Sequence, residues 1–234
     1  MPEQHRHEYP DCRRDGVWFT AFVFEKTVVL FEDYYRLMDR EERPGFARDL
    51  AVEVQERLRQ LDYLLRRVEG AENVLKLSQE ASVELAHERM RRLEEEGLSW
   101  ESDLYPIPLM SQEDVSGWVT ATFEARLFTE CFYYVAGHIR TILQSRSRPL
   151  PGLHRFEAKG VRTVRNKLLE HAGEGDNVVT VSSFGFGGPN GPGVKAVRPN
   201  DQVGTDVDEG LYANAKEFRE ALERRLRREL GILK

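Results

Sequence analysis

The sequence predicts a mainly α-helical protein, a helical bundle with a small C-terminal β-hairpin and a terminal helix. Apolar residues recur every three or four positions through several long runs, which is the period of an amphipathic helix. One segment, residues 177–198, instead alternates β-branched residues and contains a glycine-rich loop, which is typical of a hairpin. Hydrophobic residues make up 40% and charged residues 32% of the 234 positions, the composition of a folded rather than a disordered chain.

The N-terminal region, residues 17–97, is predicted to contain three helices. Its aromatic-rich beginning, residues 17–40, favours a buried helix, with a strand in the first half as the alternative. Apolar residues then follow a helical stripe over residues 46–69 and again over residues 72–96. Because glycine commonly ends helices, Gly70 is predicted to separate these two helices.

The segments around this region complete the predicted organisation. Residues 1–16 are polar and charged and are predicted to form a flexible tail. Pro106 and Pro108 mark residues 98–112 as a linker between two helical regions or, alternatively, as a long loop within one domain.

The C-terminal region, residues 113–234, is predicted to contain three helices and the hairpin. The first helix runs to about Ser145 and is the longest and most aromatic of the chain. The second starts near His154 and ends at His171, where Ala-Gly stops it. The third covers residues 208–230 and carries an arginine-rich solvent face.

Composition excludes several classes of function. The net charge of −6 argues against an overall basic surface for nucleic acid, but it leaves room for a small cationic site. Cys12 and Cys131 lie far apart and are predicted to be free thiols. His5 and His7 lie in the polar tail, and neither a metal site nor a cofactor is predicted. The N-terminus lacks the apolar core of a signal peptide and no uncharged stretch can cross a membrane, which predicts a cytoplasmic protein.

The strongest chemical signal lies near the end of the second C-terminal helix. Arginine carries a planar set of donors that fits phosphate oxygens, and histidine titrates closest to neutral pH. We expect Arg165 to stabilise a phosphoryl group, His171 to act as general base or acid, and Asn166 to orient them. Arg162 and Lys167 are predicted to contribute to nucleic-acid binding.

The spacing of the motif limits how its two main residues meet. On an ideal helix Arg165 and His171 lie about 120° apart around the axis and about 9 Å apart along it. They therefore do not share one face. They can converge if the helix ends near His171, or if two subunits each bring one pair to a two-fold axis.

The pattern Arg165-Asn166-x-x-x-x-His171 at a helix end resembles the signature of the HEPN superfamily (higher eukaryotes and prokaryotes nucleotide-binding). In that family an arginine, usually followed by a polar residue, precedes a histidine by a short spacer. The resemblance covers about residues 113–230 and implies a helical bundle, a homodimer and metal-independent RNA cleavage at the dimer interface. Many relatives are toxins or phage-defence effectors. A glycine-rich hairpin is not a general feature of the superfamily.

The resemblance makes a cytoplasmic, dimeric endoribonuclease the preferred prediction, with RNA as substrate and an antitoxin or regulatory protein as a further partner. Two alternatives stay open. The acidic charge and the aromatic content are also typical of a non-catalytic helical interaction module. A nucleotide-binding regulator is the third interpretation.

Overall fold

The computed structural model of the chain describes residues 24–40, 45–100, 112–145, 150, 152–170, 178–182, 192–197 and 210–233. The described structure is mainly helical, which confirms the fold class predicted from the apolar period. Its elements are α1 (Glu25–Arg40), α2 (Gly45–Glu95), α3 (Gln112–Gln144), a 3-10 turn (Leu153–Arg155), α4 (Lys159–Glu170), β1 (Val178–Ser182), β2 (Gly193–Val197) and α5 (Leu211–Glu229).

The predicted break at Gly70 is wrong, because α2 is one continuous helix of 51 residues. Glycine inside a helix costs only about 1 kcal/mol relative to alanine, so other interactions can override it. Immediately after Gly70, Ala71 and Leu75 are buried in a small cluster with Ala121 and Ala125 of α3. These side chains stay packed against α3 only if the helix continues past Gly70, so the two apolar stripes predicted on either side of Gly70 belong to one helix.

One hydrophobic core contains side chains from α1, α2, α3, α4 and α5. Phe218 of α5 is fully buried in this core, and its ring centroid lies 6.0 Å from that of Phe24 and 5.1 Å from that of Phe156. The helices on both sides of the predicted linker thus share a core. Residues 101–111 lie outside the described residues, and the division into domains stays a prediction.

Part of α2 and α3 extends beyond this core as an antiparallel pair. Antiparallel packing follows from two contacts: Arg67 lies 2.8 Å from Glu124, and His138 lies 3.8 Å from Glu53. We call residues 71–95 of α2 together with residues 112–130 of α3 the arm. Many large apolar side chains of the arm are exposed, namely Val74, Leu77, Val83, Leu85, Met90, Val115, Trp118, Val119, Phe123 and Leu127.

The helix predicted to start near His154 begins later, and this prediction is wrong. The chain first makes the 3-10 turn, and α4 starts at Lys159. The Glu217 carboxylate of α5 accepts hydrogen bonds from the backbone N–H groups of Lys159 and Gly160, at 3.1 and 3.0 Å. A carboxylate at this end satisfies free donors and complements the helix dipole, so a tertiary contact sets the helix start.

Two short strands lie between α4 and α5. Within the described residues β1 and β2 form a two-stranded antiparallel sheet, with Val178 opposite Val197 and Ser182 opposite Gly193. The backbone N–H of Leu211 donates to the carbonyl of Pro192 at 2.9 Å, which ties the start of α5 to the segment before β2.

Candidate functional site

The described part of the arginine motif lies on one face of α4. Arg162, Arg165 and Asn166 are spaced three and four positions apart, which makes them neighbours on a helix surface. Arg162 is exposed, whereas Arg165 and Asn166 are half-buried. Val161 and Val164, on the adjoining side of the helix, are fully buried in the core, which fixes how α4 is turned relative to the core.

Two predicted site residues are not placed by the structure. His171 lies outside the described residues, and the approach of its imidazole to Arg165 stays a prediction. Lys167 belongs to α4, but its side chain is likewise outside the described part.

Arg165 extends across α3 at a glycine. Gly137 is buried, and a Cβ atom added there would lie 2.9 Å from Nε of Arg165 and closer still to its Cδ. Real Cβ atoms do not approach heavy atoms so closely, so only glycine leaves space for the arginine side chain in this position. The role of Gly137 is steric, because it lies within a regular helix.

A third arginine of this region, Arg140, was missed by the sequence analysis. It follows Gly137 by three positions on α3 and is half-buried. Burial lowers the pKa of Arg140, and the charges of Arg162 and Arg165 lower it further, while Glu157 opposes the shift. The weak signal in the sequence is a glycine inside a long helix with an arginine one turn later.

Arg140, Arg162 and Arg165 together form what we call the arginine cluster. Among the described residues none of these three guanidiniums forms an ion pair with a carboxylate. Like charges held close together repel each other, and a bound anion relieves that repulsion. Guanidinium groups can bind phosphate with two parallel hydrogen bonds, so the cluster is suited to a phosphate group.

His138 is next to Gly137 in sequence but contacts α2. Its Nε2 lies 3.8 Å from Oε1 of Glu53, and the same oxygen accepts a hydrogen bond from Arg57 at 2.8 Å. His138 is therefore engaged on another side of α3 from the arginine cluster. His171 remains the histidine that we expect to complete the site.

Other chemistry is sparse in the described part of the chain. No group of three His, Cys, Asp or Glu side chains there could hold a metal ion. None of its helices combines the length and apolar character needed to cross a membrane. Cys131 is a free thiol, and burial and the nearby Glu130 raise its pKa, which disfavours the reactive thiolate.

Comparisons with protein-family models, curated proteins and solved structures find no match to this chain.

Proposed function

We propose that this protein is a metal-independent endoribonuclease of the HEPN type. The observation that supports the proposal is the arginine cluster. Arg165, the arginine singled out by the motif, lies with Arg140 and Arg162 on adjoining faces of α3 and α4. A site for a phosphodiester needs cations of this kind, which form no ion pair with the described carboxylates, whereas a helix that serves only for packing does not.

In the proposed reaction the RNA supplies its own nucleophile. The 2′-hydroxyl attacks the adjacent phosphorus while His171, with a neutral imidazole, accepts its proton. The bond between phosphorus and the 2′-oxygen forms, and the bond to the 5′-oxygen breaks. The departing 5′-oxygen takes a proton from a protonated imidazole, which the second copy of His171 provides in a homodimer. The arginines stabilise the charge that develops on the non-bridging oxygens. The products are a 2′,3′-cyclic phosphate and a 5′-hydroxyl.

The biological role follows from the resemblance to the HEPN superfamily. We propose a homodimeric toxin or phage-defence effector in the cytoplasm, held in check by an antitoxin or regulatory protein. Asn166 orients the phosphate or the imidazole in this scheme, and Lys167 adds contacts to the RNA backbone.

The test is RNA cleavage by the purified protein in the presence of a chelator. We expect cleavage to persist with the metal removed and to yield 2′,3′-cyclic phosphate ends. An Arg165→Ala/His171→Ala double variant should be slower by at least about 100-fold, because a general base and a preorganised cation are both lost. Undiminished cleavage by the double variant, or no cleavage by the wild type, would overturn the proposal.

A second candidate function, a helical interaction module, is favoured by a patch on the arm. Trp118, Val119, Phe123 and Leu127 of α3 are between 41% and 63% exposed and line one shallow depression. Their spacing of about one turn gives the apolar stripe with which helices commonly bind other helices. In this interpretation the protein acts through its partner and the arginine cluster has no catalytic role.

A further inference from the structure

We propose that Arg140 of α3 is a further phosphate-binding residue of the site, and that Gly137 positions Arg165 beside it. Neither residue belongs to the motif on α4. The inference rests on the proposed function in taking single-stranded RNA as the ligand. It does not require that the bound RNA be cleaved.

The placement of Arg140 follows from the packing of two helices. Gly137 and Arg140 are one turn apart on α3, and Arg165 crosses α3 at Gly137. Arg162 and Arg165 are likewise one turn apart on α4. Residues separated by one turn lie on the same helix face, so the two faces bring three guanidiniums to one region of the surface.

The charge of this region indicates the ligand. The charges of Arg162 and Arg165 lower the pKa of Arg140, and among the described carboxylates Glu157 is the one whose charge raises it. Each phosphodiester contributes one negative charge, so a nucleic-acid strand can bring more than one phosphate to the cluster. Arg162 is exposed, and Arg140 and Arg165 are half-buried residues, so none of the three is closed off from a strand at the surface.

Gly137 matters because of what an added methyl group would displace. The nearest atoms are Cδ, Nε and Cγ of Arg165, which belong to a flexible side chain and not to backbone. A Gly137→Ala substitution is thus expected to move Arg165 away and to leave α3 intact. Alanine also has the higher helix propensity, so the fold should be kept or stabilised while the site is altered.

The first experiment measures binding of a fluorescent 2′-O-methyl RNA oligonucleotide, which lacks the attacking hydroxyl and is not cleaved. Arg140→Gln should weaken binding roughly tenfold, the effect of losing one charge-assisted contact. The slope of log affinity against log salt should become less negative by about 0.7, the value for one phosphate of a single strand. Arg36→Gln removes the same charge from an exposed residue of α1 and should change neither quantity.

The second experiment compares two glycines of α3. Gly137→Ala should weaken binding of the same oligonucleotide about as much as Arg165→Ala, and adding Arg165→Ala to it should have little further effect, since both act through one side chain. Gly117 has no atom within 4 Å of an added Cβ, so Gly117→Ala is the control and should bind like the wild type. Thermal unfolding should show both alanine variants folded.

The outcomes separate the inference from the proposed nuclease. Binding of wild-type strength by both Arg140→Gln and Gly137→Ala would overturn the inference, even if the protein cleaves RNA. Equal weakening by Arg36→Gln would also overturn it, because the effect would then be one of net charge. Weakened binding in a protein that never cleaves unmodified RNA would support the inference and defeat the nuclease. A DNA oligonucleotide that binds as tightly as the RNA would overturn the assignment of RNA as the ligand.

Discussion

Asp62 of α2 is buried and accepts a hydrogen bond from the backbone N–H of Phe24 at 2.8 Å. This contact fastens the start of α1 to α2. Burial raises the pKa of Asp62 above its ordinary value of 3.8, although the hydrogen bond from Phe24 and the charge of Arg66 act in the opposite direction. Burial therefore makes the charged carboxylate of Asp62 less favourable, and the hydrogen bond from Phe24 offsets part of this cost.

We predict that Asp62 makes stability fall as pH rises. The pKa of Asp62 is about 3.8 in the unfolded state and higher in the folded state. In the window between these two pKa values the native state therefore holds the proton more tightly than the unfolded state does. The free energy of unfolding of the wild type, relative to Asp62→Asn, should therefore be highest below pH 3.8, decrease through that window and then stay constant. Urea unfolding at a series of pH values measures this difference.

Asp62→Ala is the matched control for this series. It also abolishes the titration, so its free energy of unfolding should run parallel to that of Asp62→Asn at every pH. It should lie lower by about 1–3 kcal/mol, because the N–H of Phe24 loses its acceptor. A wild-type stability that increases with pH relative to Asp62→Asn would contradict the predicted sign.

At the residue scale the candidate site could be predicted only in part. Arg165 and Asn166 form a local pattern within one helix, and such patterns are visible in a sequence. Arg140 and Gly137 belong to another helix and become neighbours of Arg165 only through packing. The spacing of Gly137 and Arg140 marks their helix only weakly and does not say which side chain packs there, so placing the third arginine required the structure.

At the scale of elements, the two errors of prediction have the same physical origin. Gly70 and the segment after His154 were interpreted from local preferences for helix ends and helix starts. In both places a tertiary partner decides: α3 packs against α2 beyond Gly70, and Glu217 of α5 caps the start of α4. Local propensities are worth about 1 kcal/mol, so such contacts readily override them.

Replacing Gly70 inside α2 and Gly97 just after its end by alanine should change the free energy of unfolding in opposite directions. Gly70 lies inside the helix with nothing within 4 Å of an added Cβ, so Gly70→Ala should raise the free energy of unfolding by about 0.5–1 kcal/mol. Gly97 has a φ of 64° and follows the helix end, where the N–H of Leu98 donates to the carbonyl of Leu93. Gly97→Ala should lower the free energy of unfolding by about 1 kcal/mol, because alanine disfavours positive φ.

Chemical denaturation measures the free energy of unfolding of Gly70→Ala and of Gly97→Ala, and each variant serves as the control for the other. The comparison tests whether α2 is continuous, since only a helical conformation makes alanine favourable at position 70. A loss of stability in Gly70→Ala would indicate that the chain bends or breaks there. Equal effects of the two substitutions would contradict the distinction between helix interior and helix end.

At the scale of the whole molecule, the arm and the arginine cluster lie at different ends of α3. Phe123 and Arg140 are separated by about 25 Å along the helix axis. The core that joins the five described helices lies at the same end of α3 as the arginine cluster, whereas the arm is supported by the small apolar cluster of Ala71, Leu75, Ala121 and Ala125. Periodicity predicted the helices of the arm, but it could not show that their apolar stripe is left largely exposed.

We predict that the patch on the arm mediates self-association, with the same patch of a second copy as its partner. Single scattered apolar residues at a surface are ordinary, but four large exposed ones that line the same depression mark an interaction surface. Arg126 and Glu130 line the same depression with opposite charges, so the surface suits an apolar partner rather than a charged one. In a two-fold symmetric dimer, the patch of one subunit would pack against the same patch of the other.

Sedimentation equilibrium of the wild type and of a Trp118→Glu/Phe123→Glu variant tests this prediction. We expect a wild-type dimer and a variant whose dissociation constant rises by roughly 100-fold or more, because two apolar contacts are replaced by like charges facing each other. Val29→Glu alters an equally exposed apolar residue of α1, 52% exposed, and should leave the dimer unchanged. A variant that stays fully dimeric would assign the contact to another surface, such as the end of α4 that the proposed nuclease requires. A monomeric wild type would contradict both arrangements, since neither self-association through the arm nor a two-fold nuclease site can form without a second copy.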